Sequence, residues 1–483
     1  MSTPANGFGL KLGYASGTLS FAVKDVAFGS FVLFYYVTVV GLKGSLAGAV
    51  IFISLAWDAV TDPVVGSLSD NLRSRWGRRH PFMALSGIPL AACLFALFNV
   101  PDGLSQGGIF FWMLITCLLL RTFLTLFTVP YLALGAELSS DYHERTSIAG
   151  FRTLVGWFSA ILFTAFAWGV LFRGDGVTDG RLLRDNYFSF ALLSFALIAG
   201  FTTLSTLVTA GRIKSLPAVL DTAQAFSFSR IFNDVRVALR NDNFRNLFYL
   251  LLTLGVATGL NGALGTHMNT YFWELSTNQL FIQALGALLP VAVMLLLMNT
   301  LNRRFEKQRV LELCILGLVL NTLWFVPGRL LGLIPGNDHP VVFPLVLIHG
   351  YISAALVIWF QTVSASAIAD ISDEQELVTS RRQEGVFFAA QGFSIKFVTG
   401  IGNLLGGVVI DLIRLPVGAT PGTVDADVLF DLGIVMGPVI AGFLFLPYLY
   451  ARRLELSRAR HAEIRAALDQ RGNGTTMAPV AEP

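Results

Sequence analysis

Apolar stretches of about twenty residues recur along this chain between polar connections, and no other feature constrains its fold as strongly. A helix needs roughly 20 consecutive apolar residues to cross the hydrocarbon core of a bilayer. About twelve such stretches are present, at 14–40, 47–68, 81–100, 109–134, 153–171, 188–209, 247–270, 280–301, 310–331, 341–367, 385–413 and 430–451. At 54% hydrophobic and 13% charged over 483 residues, the chain is more apolar than the cores of a soluble protein can bury. Water is absent from the membrane interior, so each span must satisfy its backbone polar groups internally. The expected fold class is therefore an all-α membrane protein of twelve transmembrane helices. Cys93, Cys117 and Cys314 lie singly inside apolar runs, which reads as packing and not as a disulfide or metal framework. The start, MSTPANGFGLKLGY, lacks the basic region, short apolar core and cleavage site of a removable signal peptide, so the N-terminus is expected to stay in the cytoplasm.

Orientation follows from the connections, because cytoplasmic loops keep an excess of Lys and Arg. Loops after spans 2, 4, 6, 8 and 10, with the tail, carry about 24 basic residues, among them Arg73, Arg75, Arg78, Arg79, Lys214, Arg230, Arg381 and Arg382. The alternate loops carry six: Lys43, Arg173, Arg181, Arg184, Arg329 and Arg414. Both termini are thus expected in the cytoplasm, with the protein in the cell inner (plasma) membrane. The polar connection at about 210–246 divides the spans six and six, giving expected units at 1–209 and 247–451 and a cytoplasmic tail at 452–483. The halves echo each other: ALGAELSSDYHERTSIAGFR after span 4 and AIADISDEQELVTSRRQEG after span 10 are both acidic clusters that turn basic. Two parallel six-span halves around a midplane site are the plan of one large transporter class.

Charges inside the spans are the informative residues, since each costs about 2.5–3.5 kcal/mol to insert. They are Lys24 and Asp25 in span 1, Asp58 and Asp62 in span 2, Arg121 in span 4 and Lys396 in span 11. Asp58 and Asp62 are four residues apart and share a helix face, where two carboxylates resist ionising together unless a cation or basic side chain lies between them. Pro63 removes a hydrogen bond to the Ala59 carbonyl and leaves an oxygen on the same turn. Such oxygens suit a hard monovalent cation or an exchangeable proton. The bland alternative is a buried network in which Asp58 pairs with Lys24, Arg121 or Lys396 only to hold helices together. Arg121 has further readings: a fixed counter-ion for Asp25 or Asp58, a ligand for an anionic solute group, or a lipid-facing residue.

The run WDAVTDPVVGSLSDNLRSRWGRRHPF (57–82), with SFAVKDVAFGSFVLFYYVTVVGL (20–42), LFTVPYLALGAEL (126–138) and the region of Lys396, resembles the glycoside-pentoside-hexuronide:cation symporter family, a branch of the major facilitator superfamily. The resemblance covers most of the chain. It implies a major facilitator fold and secondary active symport of a sugar, glycoside or uronide with Na⁺ or H⁺ (Li⁺ as a third candidate), by alternating access and in the direction of uptake. By position, Asp58 and Asp62 match the cation-binding carboxylates, Thr125 a hydroxyl near that site, and Thr61 stands between the two aspartates where the family's type member has asparagine. Asp25 and Arg152 match the sugar-binding and gating region, with Lys24 beside them, and Lys396 matches the lysine that couples cation and substrate sites. Asp70, Arg75, Arg78 and Arg79 match a loop that locks the inward gate. Where the pattern has a sugar-binding aspartate and a tryptophan, this chain has Thr128 and Leu132, which leaves solute and ion open. Arg121 and Thr128 join Asp25, Arg152 and Lys396 as candidate substrate contacts. A lysophospholipid or other anionic amphiphile is the alternative solute.

A membrane enzyme would need a nucleophile, metal cluster or phosphate loop, and H-E-x-x-H, G-x-S-x-G and G-x-x-x-x-G-K-[ST] are all missing. A non-transporting receptor or scaffold would display a sizeable polar domain, for which only the middle loop and tail are available. No cofactor is expected beyond the coupling ion; the partners are a small solute, a monovalent cation and the lipid bilayer, with no nucleic acid and a monomeric chain. His267 reads as a packed histidine, Trp273 and Trp359 as interfacial or sugar-stacking aromatics, and the tail helix at 451–474 as a basic amphipathic element lying on the anionic leaflet.

Overall fold

The computed structural model describes residues 7–139, 141–213, 216, 236, 238–379 and 384–472. Much of the middle connection, including Lys214 and Arg230, lies outside them, as do Arg381, Arg382 and the last residues of the tail. Among the described residues, twelve helices are long and apolar enough to cross a membrane: α1 (Phe8–Val39), α2 (Gly44–Asn71), α3 (His80–Leu97), α4 (Gln106–Glu137), α5 (His143–Leu171), α6 (Arg184–Ala210), α7 (Asp242–Phe272), α8 (Thr277–Arg304), α9 (Lys307–Leu330), α10 (Val342–Leu377), α11 (Glu384–Leu412) and α12 (Ala426–Ala451). A shorter polar helix, α13 (Arg458–Gly472), follows. The protein is a multi-pass membrane protein, and the twelve spans read from the apolar pattern each coincide with one of these helices. Their outward faces are apolar, as at Leu85, Ile88, Leu207, Leu295 and Leu296, since a lipid-facing surface offers nothing for polar groups to bond.

Packing is dense within each set of six. Helix α3 lies against α4 and α6, α2 against α4, and α1 against α5 and α6; α9 lies against α10 and α12, α7 against α12, and α8 against α10. Among the described residues, the main pairings that cross between the sets are α2 with α11, α5 with α8, and α1 with α7. Helices α1, α5 and α7 each end in a π-helical turn, Tyr35–Val39, Ala167–Leu171 and Met268–Phe272. Wider turns of this kind mark hinges and functional positions in helices.

Several hydrogen bonds that cross between the sets gather at this same end. Thr266 donates to the Ser30 carbonyl at 2.7 Å, Gly418 N–H to the Thr38 carbonyl at 2.9 Å, and Arg181 to the Thr270 hydroxyl at 3.0 Å. His267 is fully buried beside Thr38 and Phe34, a packed histidine as expected. At the opposite end, ion pairs among the described residues lie within one set: Arg78 and Arg79 with Glu137, and Lys307 with Asp370. The echo between the two acidic clusters is thus also an echo in pairing, since each meets a basic residue from the loop two spans earlier.

Two expectations change. Among the described residues of α13, basic side chains turn to protein: Arg460 bonds Glu374 at 2.5 Å and Arg465 lies 3.0 Å from Asp373, both acids at the end of α10. Opposite charge close by satisfies these arginines before any leaflet does. Trp273 is buried and stacks on Phe325 at 4.3 Å, and Trp359 donates to Asn302 at 2.9 Å. Both indoles are packing residues, which takes them out of the interfacial and sugar-stacking roles.

Candidate cation and solute site

Span 2 carries its two aspartates through to one helix face, and α4 and α11 bring partners to them. Asp58 is 2% exposed and accepts from Arg121 Nη1 at 2.9 Å, while Arg121, 4% exposed, rests over the Phe28 ring at 4.7 Å. Two opposite charges removed from water this completely hold each other in place, and the flat guanidinium gains from the ring face beneath it. Arg121 is therefore a fixed counter-ion of Asp58. The other Asp58 oxygen, Oδ1, is buried without a hydrogen-bond partner, so the site has an oxygen still to be satisfied.

One turn on, Asp62 is more accessible. Its Oδ1 accepts from Thr125 at 2.8 Å and its Oδ2 from Lys396 Nζ, which also lies 3.7 Å from Asp58 Oδ2. The side chains of Asp62 and Lys396 are 33% and 38% exposed, so this pair is open to its surroundings where Arg121 and Asp58 are enclosed by protein. Thr61 lies 3.4 Å from Thr125 and donates to the Trp57 carbonyl at 3.1 Å. Pro63 is accommodated within α2, which runs on to Asn71. The four residues of the candidate cation set, Asp58, Thr61, Asp62 and Thr125, are thus brought together, and Lys396 completes the group from the other set of helices. Among these and the two basic residues, two carboxylates face two cations and the charges balance.

The solute candidates divide. Asp25 pairs with Lys24 and lines a cavity of about 490 Å³ between α1 and α5, with Arg152 on the opposite wall. Thr128 donates to the Leu124 carbonyl of its own helix at 2.7 Å, and Arg121 is turned to Asp58 and away from this cavity. The cavity also holds Trp157, Phe21, Thr18 and Thr153. Sequence reading missed Trp157, although Arg152, Thr153, Gly156, Trp157 and Ala160 recur at helical spacing on one face of α5 and could have pointed to it.

The gate candidates form a network at the ends of α2 and α4. Arg79 is 5% exposed and contacts Asp70 at 2.6 Å, the Ser69 hydroxyl at 2.7 Å and Glu137 at 2.7 Å; Arg78 reaches Glu137 at 2.8 Å. Arg75 is exposed beside Trp76 and stands apart from that network. The shared partner Glu137, at the end of α4, is the residue of this cluster that loop reading did not single out.

Comparison with known proteins agrees with this architecture. Residues 13–458 match the family described as MFS/sugar transport protein. An uncharacterized symporter of Synechocystis is 25% identical over 96% of this chain and 97% of its own. A sodium-dependent lysophosphatidylcholine symporter of Gallus gallus is 24% identical over 95% of this chain and 88% of its own. Among solved structures, the nucleoside transporter NupG superposes with a TM-score of 0.62 at 17% identity, over 93% of this chain and all of that one, which speaks to fold alone. The chain belongs to the MFS/sugar transport family, and it is a transporter and not an enzyme.

Proposed function

We propose that this protein carries a sugar, glycoside or uronide across the membrane together with Na⁺ or H⁺, and that Asp62 is the point at which the cation exchanges. The observation that carries this reading is the Lys396 ammonium seated on Asp62 beside the Thr125 hydroxyl. An ammonium there occupies the place of a monovalent cation, so cation binding and withdrawal of Lys396 are one event. Because Asp62 is on α2 and Lys396 on α11, that event breaks a contact between the two sets of six helices. Asp58, held by Arg121, shapes the field around Asp62 without exchanging its own partner. Solute is assigned to the α1–α5 cavity, where Asp25 and Arg152 offer a hydrogen-bond acceptor and a donor fork, and Trp157 an apolar face suited to a sugar ring.

The basic loops support an orientation with both termini in the cytoplasm, and uptake as the direction. A second reading is a lysophospholipid or related amphiphile. It is supported by the Gallus gallus relative and by the cavity's combination of one charge of each sign with Phe21, Trp157 and Ile161.

Proteoliposomes holding the purified protein test both. A panel of labelled sugars, uronates and lysophospholipids is offered under a Na⁺ gradient, a pH gradient or neither. Accumulation of one class that collapses with one gradient supports the reading, and accumulation indifferent to both gradients contradicts it.

A further inference from the structure

The crossing of α2 and α11 is clasped a second time, far from the cation site. Helix α2 begins after Lys43, whose side chain makes no cap, and its first N–H groups lack partners within the helix. The partners come from the other set of helices. Asp411, at the end of α11, accepts from Gly44 N–H at 2.7 Å through one carboxylate oxygen and from Ser45 N–H at 2.8 Å through the other. A carboxylate at this place meets the positive end of the helix dipole, and bonds to an ionised acceptor are the stronger kind.

We propose that Asp411 is the latch of the outer end: it caps α2 across the boundary between the two sets of helices, and its release is a step in opening that end. Arg181, Thr266 and Gly418 also bond across the boundary at this end, but at the crossing of α2 and α11 itself the helices meet too closely for other polar side chains. A Cβ on Gly44 would lie 2.4 Å from the Gly407 carbonyl oxygen, one on Gly407 would lie 2.0 Å from that of Gly44, and one on Gly48 would lie 2.8 Å from that of Asn403. At this end the two helices therefore cross backbone against backbone, held by close van der Waals contact, and the side-chain packing between them, Phe52 on Phe397, comes further along α2. The charged, directional contact at that crossing is the carboxylate of Asp411.

Its place on the helix matters as well. Asp411 and Lys396 are fifteen residues apart on α11, about 22 Å at the rise of an α-helix, and both hold α2. A cation displaces Lys396 from Asp62, but it cannot displace Asp411 from backbone N–H groups. The outer clasp therefore sets how readily the outer end opens whichever ion or solute occupies the centre. This inference does not depend on the cation assignment.

Pulsed electron paramagnetic resonance tests it. Spin labels are placed at V177C and L333C, on exposed loops of the two sets at the outer end, and in a separate sample at S74C and R303C, exposed at the inner end. Cys93 is replaced by Ala, while Cys117 and Cys314 are buried. D411A should raise the ratio of open to closed outer distances by roughly tenfold, with a matching gain of short inner distances. D411N, which keeps one acceptor, should lie between D411A and wild type. Folded D411A and D411N proteins with wild-type distances overturn the proposal. Outer lengthening without inner shortening also overturns it, because that is local fraying of α2 and not release of a latch. If D411A does not fold, the comparison of D411N with wild type decides by the same criteria.

Discussion

Lys396 and Asp62 are 334 positions apart in the chain and bonded to each other at the centre of the fold. The pair joins α2 to α11, and it is partly exposed where the neighbouring Arg121–Asp58 pair is enclosed. Under the proposed function, exchange belongs to the open pair and a fixed place to the enclosed one.

Lys396→Gln removes the resident ammonium and leaves Asp62 facing Thr125 alone. Affinity for the coupling cation should rise, roughly tenfold for the loss of one nearby positive charge partly screened by water, while solute accumulation against a gradient should fall to background. Paired measurements of cation binding and vesicle uptake check this, and a fall in cation affinity would contradict the competition between Lys396 and the cation.

Arg121→Gln leaves the Asp58 charge buried without its counter-ion, which typically costs about 3–5 kcal/mol. Thermal unfolding in detergent should show a large drop, and uptake should fail for neutral and anionic solutes alike. Selective loss of anionic solutes would instead place Arg121 in the solute site.

Glu137→Gln withdraws the carboxylate shared by Arg78 and Arg79. Because Arg79 is buried, the loss should be about 2 kcal/mol, between the values for exposed and fully buried pairs. Arg75→Gln, at an exposed side chain outside that network, should cost nothing measurable, so the two unfolding curves separate the network from the loop's charge alone.

The α13 pairs use half-exposed arginines, and Arg460→Ala should cost under about 1 kcal/mol. Hydrogen exchange should report α13 protected equally in neutral and anionic lipid and released by salt. Protection that requires anionic lipid would restore the leaflet-bound reading of the tail.

In the loop before α6, Asp179 accepts from Arg181, itself 1% exposed. Burial works to raise the Asp179 pKa, but the hydrogen bonds and charge of Arg181 outweigh it and hold the group below its ordinary value. A folded-state value below the unfolded one stabilises above the unfolded pKa, and that stability is lost as pH falls through the folded value. Acid unfolding below about pH 4 should therefore be shallower in Asp179→Asn than in wild type, at the cost of lower stability at neutral pH.

Much of this site could be read from residues. Asp58, Asp62, Arg121 and Lys396 stood out because a charge within an apolar run has few innocent explanations, and Thr125 through family resemblance. Their pairing could not be read, because spacing along one helix says nothing about which side chain of a distant helix arrives. Arg121 kept several readings until Asp58 was seen at 2.9 Å. Asp411 and Arg181 were missed for a different reason: at the ends of spans, charges are ordinary, and only the approach of the other set of helices gives them partners. The tail misled because a basic helix looks alike whether lipid or the acidic end of α10 answers its charge.

Cation binding to the purified, solute-free protein tests the central claim most directly. Na⁺ binding at fixed ionic strength and proton uptake on acidification are measured for wild type and Asp62→Asn. The account predicts that wild type takes up one of the two ions saturably and that Asp62→Asn takes up neither. Undiminished uptake in Asp62→Asn would place the exchange point elsewhere.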